Sequence, residues 1–387
     1  MDREPLLERV RSAIELAASR LVDRKSLVEL VFLGLIAREH LLFVGPPGTA
    51  KSAAVRLAAE QVGGHYFEYL IGRFTEPSEI FGALDLEALR QGRLQPDVTG
   101  MLPEAELAFL DEIFLGSTAI LNTLLGLLNE RRYRRGHFET QVPLRSCVGA
   151  TNQLPDDPML QAFADRFLIT LFVEPIGDHA LEELLEAGWR LNDTEAKAGP
   201  AMSMADLDAL HERLAAVDMT AVRAPYAHII RKLRGRKLAL SDRRIVRGQR
   251  LIAAAAMVAG RMQAEAADLW PIVYLVQDKG LQQEVRDLLA QELQESANHA
   301  FPQAVKEASF GPAARAHELE AFAGTLIAAM PAREDAAAFE GWLVRAEALL
   351  AQIDAGFPAP KLPTALAAQR QKLVEAATAG RRLEAAE

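Results

Sequence analysis

The chain has 387 residues, half of them hydrophobic, enough for two or three domains with real cores. Its 43 basic residues stand against 53 acidic ones, a formal net charge of −10. That balance argues against a dedicated nucleic-acid binder, which carries a basic surplus, though not against a local basic pore. The single cysteine, Cys147, lies in an apolar run, so neither disulfide nor metal-ligand spacing is available. A buried thiol in a reducing cytosol is the economical reading. Residues 1–11 mix acidic and basic side chains and do not read as a secretory signal. The longest apolar candidate, Leu27 to Ile36, contains Glu29 and Gly34 and falls short of the roughly eighteen residues of a membrane span. A soluble, cytoplasmic protein is expected, with no direct membrane insertion.

Residues 1 to about 38 read as helical, with Leu6, Val10, Ile14 and Leu16, then Leu27, Leu30 and Val31, at largely helical intervals. The apolar run from His40 to Val44 reads as a buried strand. The octapeptide Gly45, Pro46, Pro47, Gly48, Thr49, Ala50, Lys51, Ser52 follows it and opens an Ala-rich helix closed by Gly63-Gly64. Strand, glycine-containing loop, Lys-Ser and helix form the context of a phosphate loop. Its backbone N–H groups converge on phosphate oxygens, and the helix N-terminus adds partial positive charge. Lys51 is then placed to reach the β- and γ-phosphates, and the Ser52 hydroxyl to coordinate Mg²⁺. Ala50 stands where a glycine normally precedes the lysine, and its methyl is tolerable at negative φ. The plain alternative is a glycine turn between strand and helix.

Glu106 to Glu112 is an apolar strand ending in two carboxylates, the pattern of a central parallel strand with functional residues at its carboxyl end. Asp111 suits the Mg²⁺ shell opposite Ser52, and Glu112 suits the base that orients and deprotonates the attacking water. A helix N-cap is the alternative for this pair. A third strand, Leu144 to Thr151, leads to Asn152, which can donate a hydrogen bond to a γ-phosphate or simply form a turn. Arg166 precedes a fourth strand, Phe167 to Glu174. It lies outside its own pocket and can complete a neighbour's site in trans, or pair with Asp165.

These four elements in this order resemble the AAA+ ATPases. A helix over Thr118 to Glu130, a hairpin-like insert from Arg131 to Glu139, and a second insert over Leu89 to Leu94 narrow the resemblance to the MoxR family. Within it, the stretches 75–82, 102–106, 120–125 and 240–244 look most like the RavA branch. The resemblance implies an α/β core with a parallel sheet and helices on both faces over residues 1–176. An all-α lid over 177–290 and a C-terminal helical domain over 291–387 complete the expected fold. It also implies adenine near Leu21-Val22-Asp23, Asn152 as γ-phosphate sensor, and Arg243 coupling the lid to the nucleotide. ATP and Mg²⁺ are the implied cofactors. A homo-oligomeric, hexameric ring, a von Willebrand A-domain protein and a protein client are the implied partners, with no nucleic acid.

Residues 178–290 lack strand-like runs, and Leu181, Leu184, Leu185 and Trp189 share a helical face. Residues 291–387 are rich in helix formers broken by Pro and Gly, and read as two to four amphipathic helices. Longer RavA members insert a β-rich module there. This tail has no series of strands and turns for one, so functions of that module are not expected. Arg131, Arg132, Arg134 and Arg135 admit three readings: subunit contacts with Arg131 acting in trans, a substrate-facing pore, or a solvated hairpin. The expected activity is Mg²⁺-dependent ATP hydrolysis that remodels or matures protein complexes. A nucleic-acid-stimulated motor and a nucleotide-gated scaffold are the alternatives.

Overall fold

The computed structural model describes residues 3–384 except 94, 191–198, 239, 310–311, 332–335 and 358–361. Helices α1 (Arg3–Ala18) and α2 (Lys25–Ala37) precede strand β1 (Leu41–Val44). α2 is buried almost all round, as its near-continuous Leu, Val and Phe content requires. There follow α3 (Lys51–Val62), β2 (Tyr66–Leu70), α4 (Pro77–Phe81), α5 (Leu86–Arg90) and β3 (Leu107–Asp111). Then come α6 (Thr118–Glu130), the hairpin of β4 (Arg132–Arg135) and β5 (Phe138–Gln141), β6 (Ser146–Thr151), α7 (Pro158–Ala164) and β7 (Ile169–Phe172).

β2, β3, β6, β1 and β7 form one parallel sheet in that order. Alternate residues feed opposite faces, as the two-residue period of a strand dictates. Leu41, Phe43, Phe109 and Val148 pack under α1, α2 and α3. Leu42, Val44, Leu110 and Cys147 pack under α6 and α7 with Ile120, Leu124 and Phe163. Both faces are covered, as a parallel sheet requires. One strand, β2, escapes the sequence reading. It is an edge strand with only Phe67 buried and Glu68 exposed, so it lacks the apolar run that marks its neighbours.

The chain clusters into two compact units, residues 1–175 with 193–309, and 176–192 with 310–387. Helix α8 (Leu181–Arg190) belongs to the second unit. The first unit continues with α9 (Met204–Arg213), α10 (Thr220–Gly235), α11 (Asp242–Val258), α12 (Lys279–Leu288) and α13 (Pro302–Ser309). The boundary expected at 290 therefore falls inside this unit. Phe301, Ala304, Val305 and Ala308 join its core, and the buried Glu29 carboxylate of α2 accepts the backbone N–H groups of Ala304 (2.6 Å) and Gln303 (3.3 Å). That contact gives two N–H groups at the start of α13 a side-chain oxygen acceptor and holds the helix on α2.

The second unit is helical throughout its described residues. α14 (Pro312–Ala328), α15 (Ala336–Gly356) and α16 (Thr364–Glu384) enclose Leu319, Leu326, Trp342, Leu349, Ile353 and Leu373. Trp342 Nε1 donates to the Leu326 carbonyl at 2.8 Å, and Arg370 clasps Asp354 with two hydrogen bonds. Phe322, at helical spacing from Leu319 and Leu326, is instead 53% exposed. The turn Asp178–Ala180 packs on α15, while Leu185 and Trp189 of α8 stay exposed. Among the described residues, no helix is long and apolar enough to cross a membrane.

Candidate active site

The octapeptide leaves the carboxyl end of β1 and turns into α3. Gly45 N–H donates to the Thr151 carbonyl at 3.0 Å, joining the loop to β6. A Cβ on Gly45 would lie 2.1 Å from the Val173 carbonyl oxygen, so only glycine fits. Gly48 has φ +78°, a region glycine enters without steric cost. Ala50 has φ +61°, which corrects the expectation of a negative φ at that position. Its methyl sits in the left-handed region at a cost of about 1–2 kcal/mol, because the loop must reverse sharply before α3 begins. Lys51 is 6% exposed, and its Nζ donates to the carbonyls of Gly45 (2.7 Å) and Pro46 (2.8 Å). Burial lowers its pKa, opposed by Asp111 and Glu112.

Asp111 ends β3, and its Oδ1 accepts the Glu112 N–H at 3.0 Å. Glu112 has φ +50°, so the chain turns abruptly and swings its carboxylate back across the sheet's end. There the Asn152 side-chain amide, one residue past β6, donates to Glu112 Oε1 at 2.5 Å. Burial first, then the Asp111 charge, raises the Glu112 pKa, and Lys51 opposes them. Lys51, Asp111, Glu112 and Asn152 thus converge at the carboxyl ends of three adjacent strands, where α/β sheets bind ligands.

The geometry fits a magnesium nucleotide. The first turn of the twelve-residue α3 supplies N–H groups and a positive dipole end. Ser52 and Asp111 offer hard oxygen donors. Among the described residues no cluster of three His, Cys, Asp or Glu side chains is placed to hold a metal. Mg²⁺ asks for no such cage, taking one or two protein oxygens beside phosphates and water.

The expected arginines sit elsewhere. Arg166 is half-buried after α7, with Nε buried and unpaired. It forms no ion pair with Asp165, which accepts from Ser241 Oγ (3.1 Å) and faces the Arg244 guanidinium at 3.6 Å. Arg244, 2% exposed, donates to the carbonyls of Leu275 (2.8 Å), Phe167 (2.9 Å) and Leu168 (2.7 Å). It fastens α11 to the segment that carries Arg166. Its neighbour Arg243 is half-buried with Nη1 unpaired. Arg131 is a correction. Its guanidinium is spent on the carbonyls of Leu128, Arg38 and Arg145, which leaves no arm for a neighbouring subunit. Arg132 and Arg134 pair with Glu139 on an exposed hairpin.

Arg24 was not legible as a site residue. It is 6% exposed, and its Nε donates to the Thr49 carbonyl of the loop at 3.0 Å. Its Nη2 donates to the Glu174 carbonyl beyond β7 at 2.7 Å and its Nη1 to Asp23 O at 2.7 Å. One guanidinium therefore ties together the expected adenine turn, the phosphate loop and the end of the sheet. Its only sequence signal was an arginine beside the apolar Leu21-Val22, which does not reveal such distant acceptors.

Comparison with known proteins bears on the family and the fold. A family model for the MoxR domain in the MoxR-vWA-beta-propeller ternary systems matches residues 8–212, and an AAA lid domain model matches residues 219–289. An uncharacterised protein of Methanocaldococcus jannaschii is 36% identical over 264 residues, 68% of each chain. Chaperone MoxR1 of Mycobacterium tuberculosis is 31% identical over 196 residues, 50% of each chain. The crystal structure of a putative ATPase from Cytophaga hutchinsonii shares the fold with a TM-score of 0.61 at 16% identity, covering 76% of this chain and 96% of its own. By its site, its fold and these matches, the chain belongs to the MoxR family of AAA+ ATPases.

Proposed function

We propose that the chain hydrolyses ATP with Mg²⁺ in a cytoplasmic, hexameric ring and uses the cycle to remodel or mature protein complexes beside a von Willebrand A-domain protein. The convergence of Lys51, Asp111, Glu112 and Asn152 carries the catalytic half of this reading. The name of the matching family model, which cites vWA proteins, supports the partner, and the name of the MoxR1 relative supports the chaperone role. A RavA-like character rests on the stretches 75–82, 102–106, 120–125 and 240–244 alone.

In this scheme the loop N–H groups from Gly45 to Ser52 and the Lys51 ammonium bind the phosphates. The bound Mg·ATP supplies the transferable phosphoryl group and a cation that spreads its charge. Ser52 and Asp111 hold the metal side of the pocket. Glu112 takes the proton of the attacking water, with Asn152 fixing its carboxylate and sensing the γ-phosphate. Arg166 of one subunit completes the pocket of the next, and Arg243 couples α11 to nucleotide state.

The test is turnover by the purified chain. Mg²⁺-dependent hydrolysis is expected, lowered at least ~10²-fold by Glu112→Gln with ATP still bound, the scale of a lost general base. Lys51→Ala is expected to weaken nucleotide binding itself. Wild-type turnover in the Gln variant removes Glu112 from its role, and turnover that rises with added DNA and falls with salt favours a nucleic-acid motor instead.

A further inference from the structure

The end of the sheet opposite the phosphate loop holds a second cluster of charge. Arg38 lies between α2 and β1, Arg145 immediately before β6, and Arg131 caps α6. Arg247 and Arg250 reach in from α11, and His211 from α9. These six side chains line a cavity of about 440 Å³, closed on one side by the apolar stretch Val142-Pro143-Leu144. β1 is four residues long, so roughly 13 Å of strand, at ~3.3 Å per residue, separates the two ends.

Charge here is not balanced. Arg38 Nη2 and Arg145 Nη2 share Asp208 at 2.6 and 2.5 Å, and Arg145 Nη1 takes Glu106 at 2.6 Å. Arg247 and Arg250 face the fully buried Glu39, each at 3.4 Å. Arg131 makes no ion pair among the described residues, though the Glu39 charge acts on it as well. Five guanidiniums thus meet three carboxylates, an excess of two positive charges around one cavity. Arg38 Nε is a buried donor with no acceptor. Burial lowers the Arg131 pKa to about 10, still cationic at neutral pH.

Folding alone does not call for this arrangement. Guanidiniums in excess of their carboxylates repel one another, and the buried Arg38 Nε still asks for an oxygen acceptor. Planar guanidinium forks match the oxygens of phosphate groups with paired N–H bonds. The volume lies within the roughly 300–1,000 Å³ of small-molecule sites. We propose that this cavity binds a small phosphate-bearing ligand, its phosphates held by Arg38, Arg145, Arg247 and Arg250 and its remaining part lying against Val142 to Leu144. The site is separate from the phosphate loop and does not rest on the ATPase reading.

Inorganic pyrophosphate is the probe. In Lys51→Ala, whose phosphate loop is disabled, pyrophosphate is expected to raise Tm with concentration, beyond sodium chloride at matched ionic strength. Arg250→Gln added to that background removes an arginine whose side chain is 55% exposed, and is expected to weaken the apparent affinity at least ~10-fold. No response beyond chloride, or a response that Arg250→Gln leaves unchanged, overturns the proposal. Tungstate soaked into crystals of the wild-type chain reads the cavity even if Lys51→Ala does not fold. Density between Arg145 and Arg250 supports the site, and density confined to the phosphate loop overturns it. If Arg250→Gln alters the oligomeric state while pyrophosphate is inert, the arginines serve a subunit interface and the proposal falls.

Discussion

The Asn152 side-chain amide holds Glu112 Oε1 at 2.5 Å, although 40 residues and a different strand separate them. The two meet because β3 and β6 are parallel neighbours that end at the same level. Asn152→Ala is expected to leave ATP affinity intact and lower turnover by ~10- to 10²-fold, since the base keeps its charge but loses its orientation. Hydrolysis requires ionised Glu112, whose pKa burial and Asp111 raise. The acid limb of kcat/KM is therefore expected above the ordinary carboxylate range, and a pH–rate profile measures it.

Arg166 has an unpaired Nε and no partner in Asp165. Arg166→Ala is expected to abolish turnover without abolishing ATP binding, a loss of ~10³-fold or more for an arginine acting on a neighbour's γ-phosphate. Mixing Arg166→Ala with Glu112→Gln subunits is expected to restore part of the rate, because some interfaces then join an intact base to an intact arginine. Mixed assemblies that regain nothing make the assignment in trans wrong.

Arg24 makes its prediction through the loop it braces. Arg24→Met keeps the apolar stem but leaves the carbonyls of Thr49 and Glu174 without their donor, the buried one at Thr49 costing ~1–3 kcal/mol. A clear fall in Tm and weaker nucleotide binding are expected, with kcat at saturation changed least. Arg24→Lys is expected to recover part of both. Calorimetry and a KM-against-kcat comparison separate the two effects.

α13 carries a pH signature. Burial lifts the Glu29 carboxyl to about 8, over the opposing hydrogen bonds from Ala304 and Gln303. Unfolded, the same group ionises near 4.5, so between these values unfolding releases a proton and stability falls as pH rises. Glu29→Gln is expected to flatten the decline of denaturant stability between pH 5 and 8. A chain cut near residue 295 loses α13 altogether, with the fully buried Phe301, Ala304 and Ala308, and is expected to precipitate. A chain cut after 309 is expected to keep the fold of its first unit.

The phosphate loop, the Asp111-Glu112 pair and Asn152 were legible because each is a short contiguous pattern fixed to a strand end. The parallel sheet, the helical lid and the helical tail followed from runs of apolar and helix-forming residues. Three things were not legible. β2 is an edge strand without an apolar run, and 176–192 and 310–387 find each other only in three dimensions. Arginines were the third: Arg131 and Arg244 look like surface charge in sequence, yet their partners are backbone carbonyls up to 93 residues away. Backbone acceptors leave no mark in side-chain pattern. Which of Arg243 and Arg244 points inward depends on the phase of α11 against β7, which adjacent letters do not record.

The discontinuity of the second unit reaches into synthesis. Residues 176–192 leave the ribosome about 120 residues before the first of the helices they cluster with, and about 195 before the last. At ~5–20 residues per second, the wait is on the order of 6–40 s. During it the turn Asp178–Ala180, whose Ala180 is buried in the finished unit, has no α15 to pack on. This interval, rather than the ATPase core, is where a nascent chain of this protein is most open to capture by a chaperone or to pairing with a second chain on the same message.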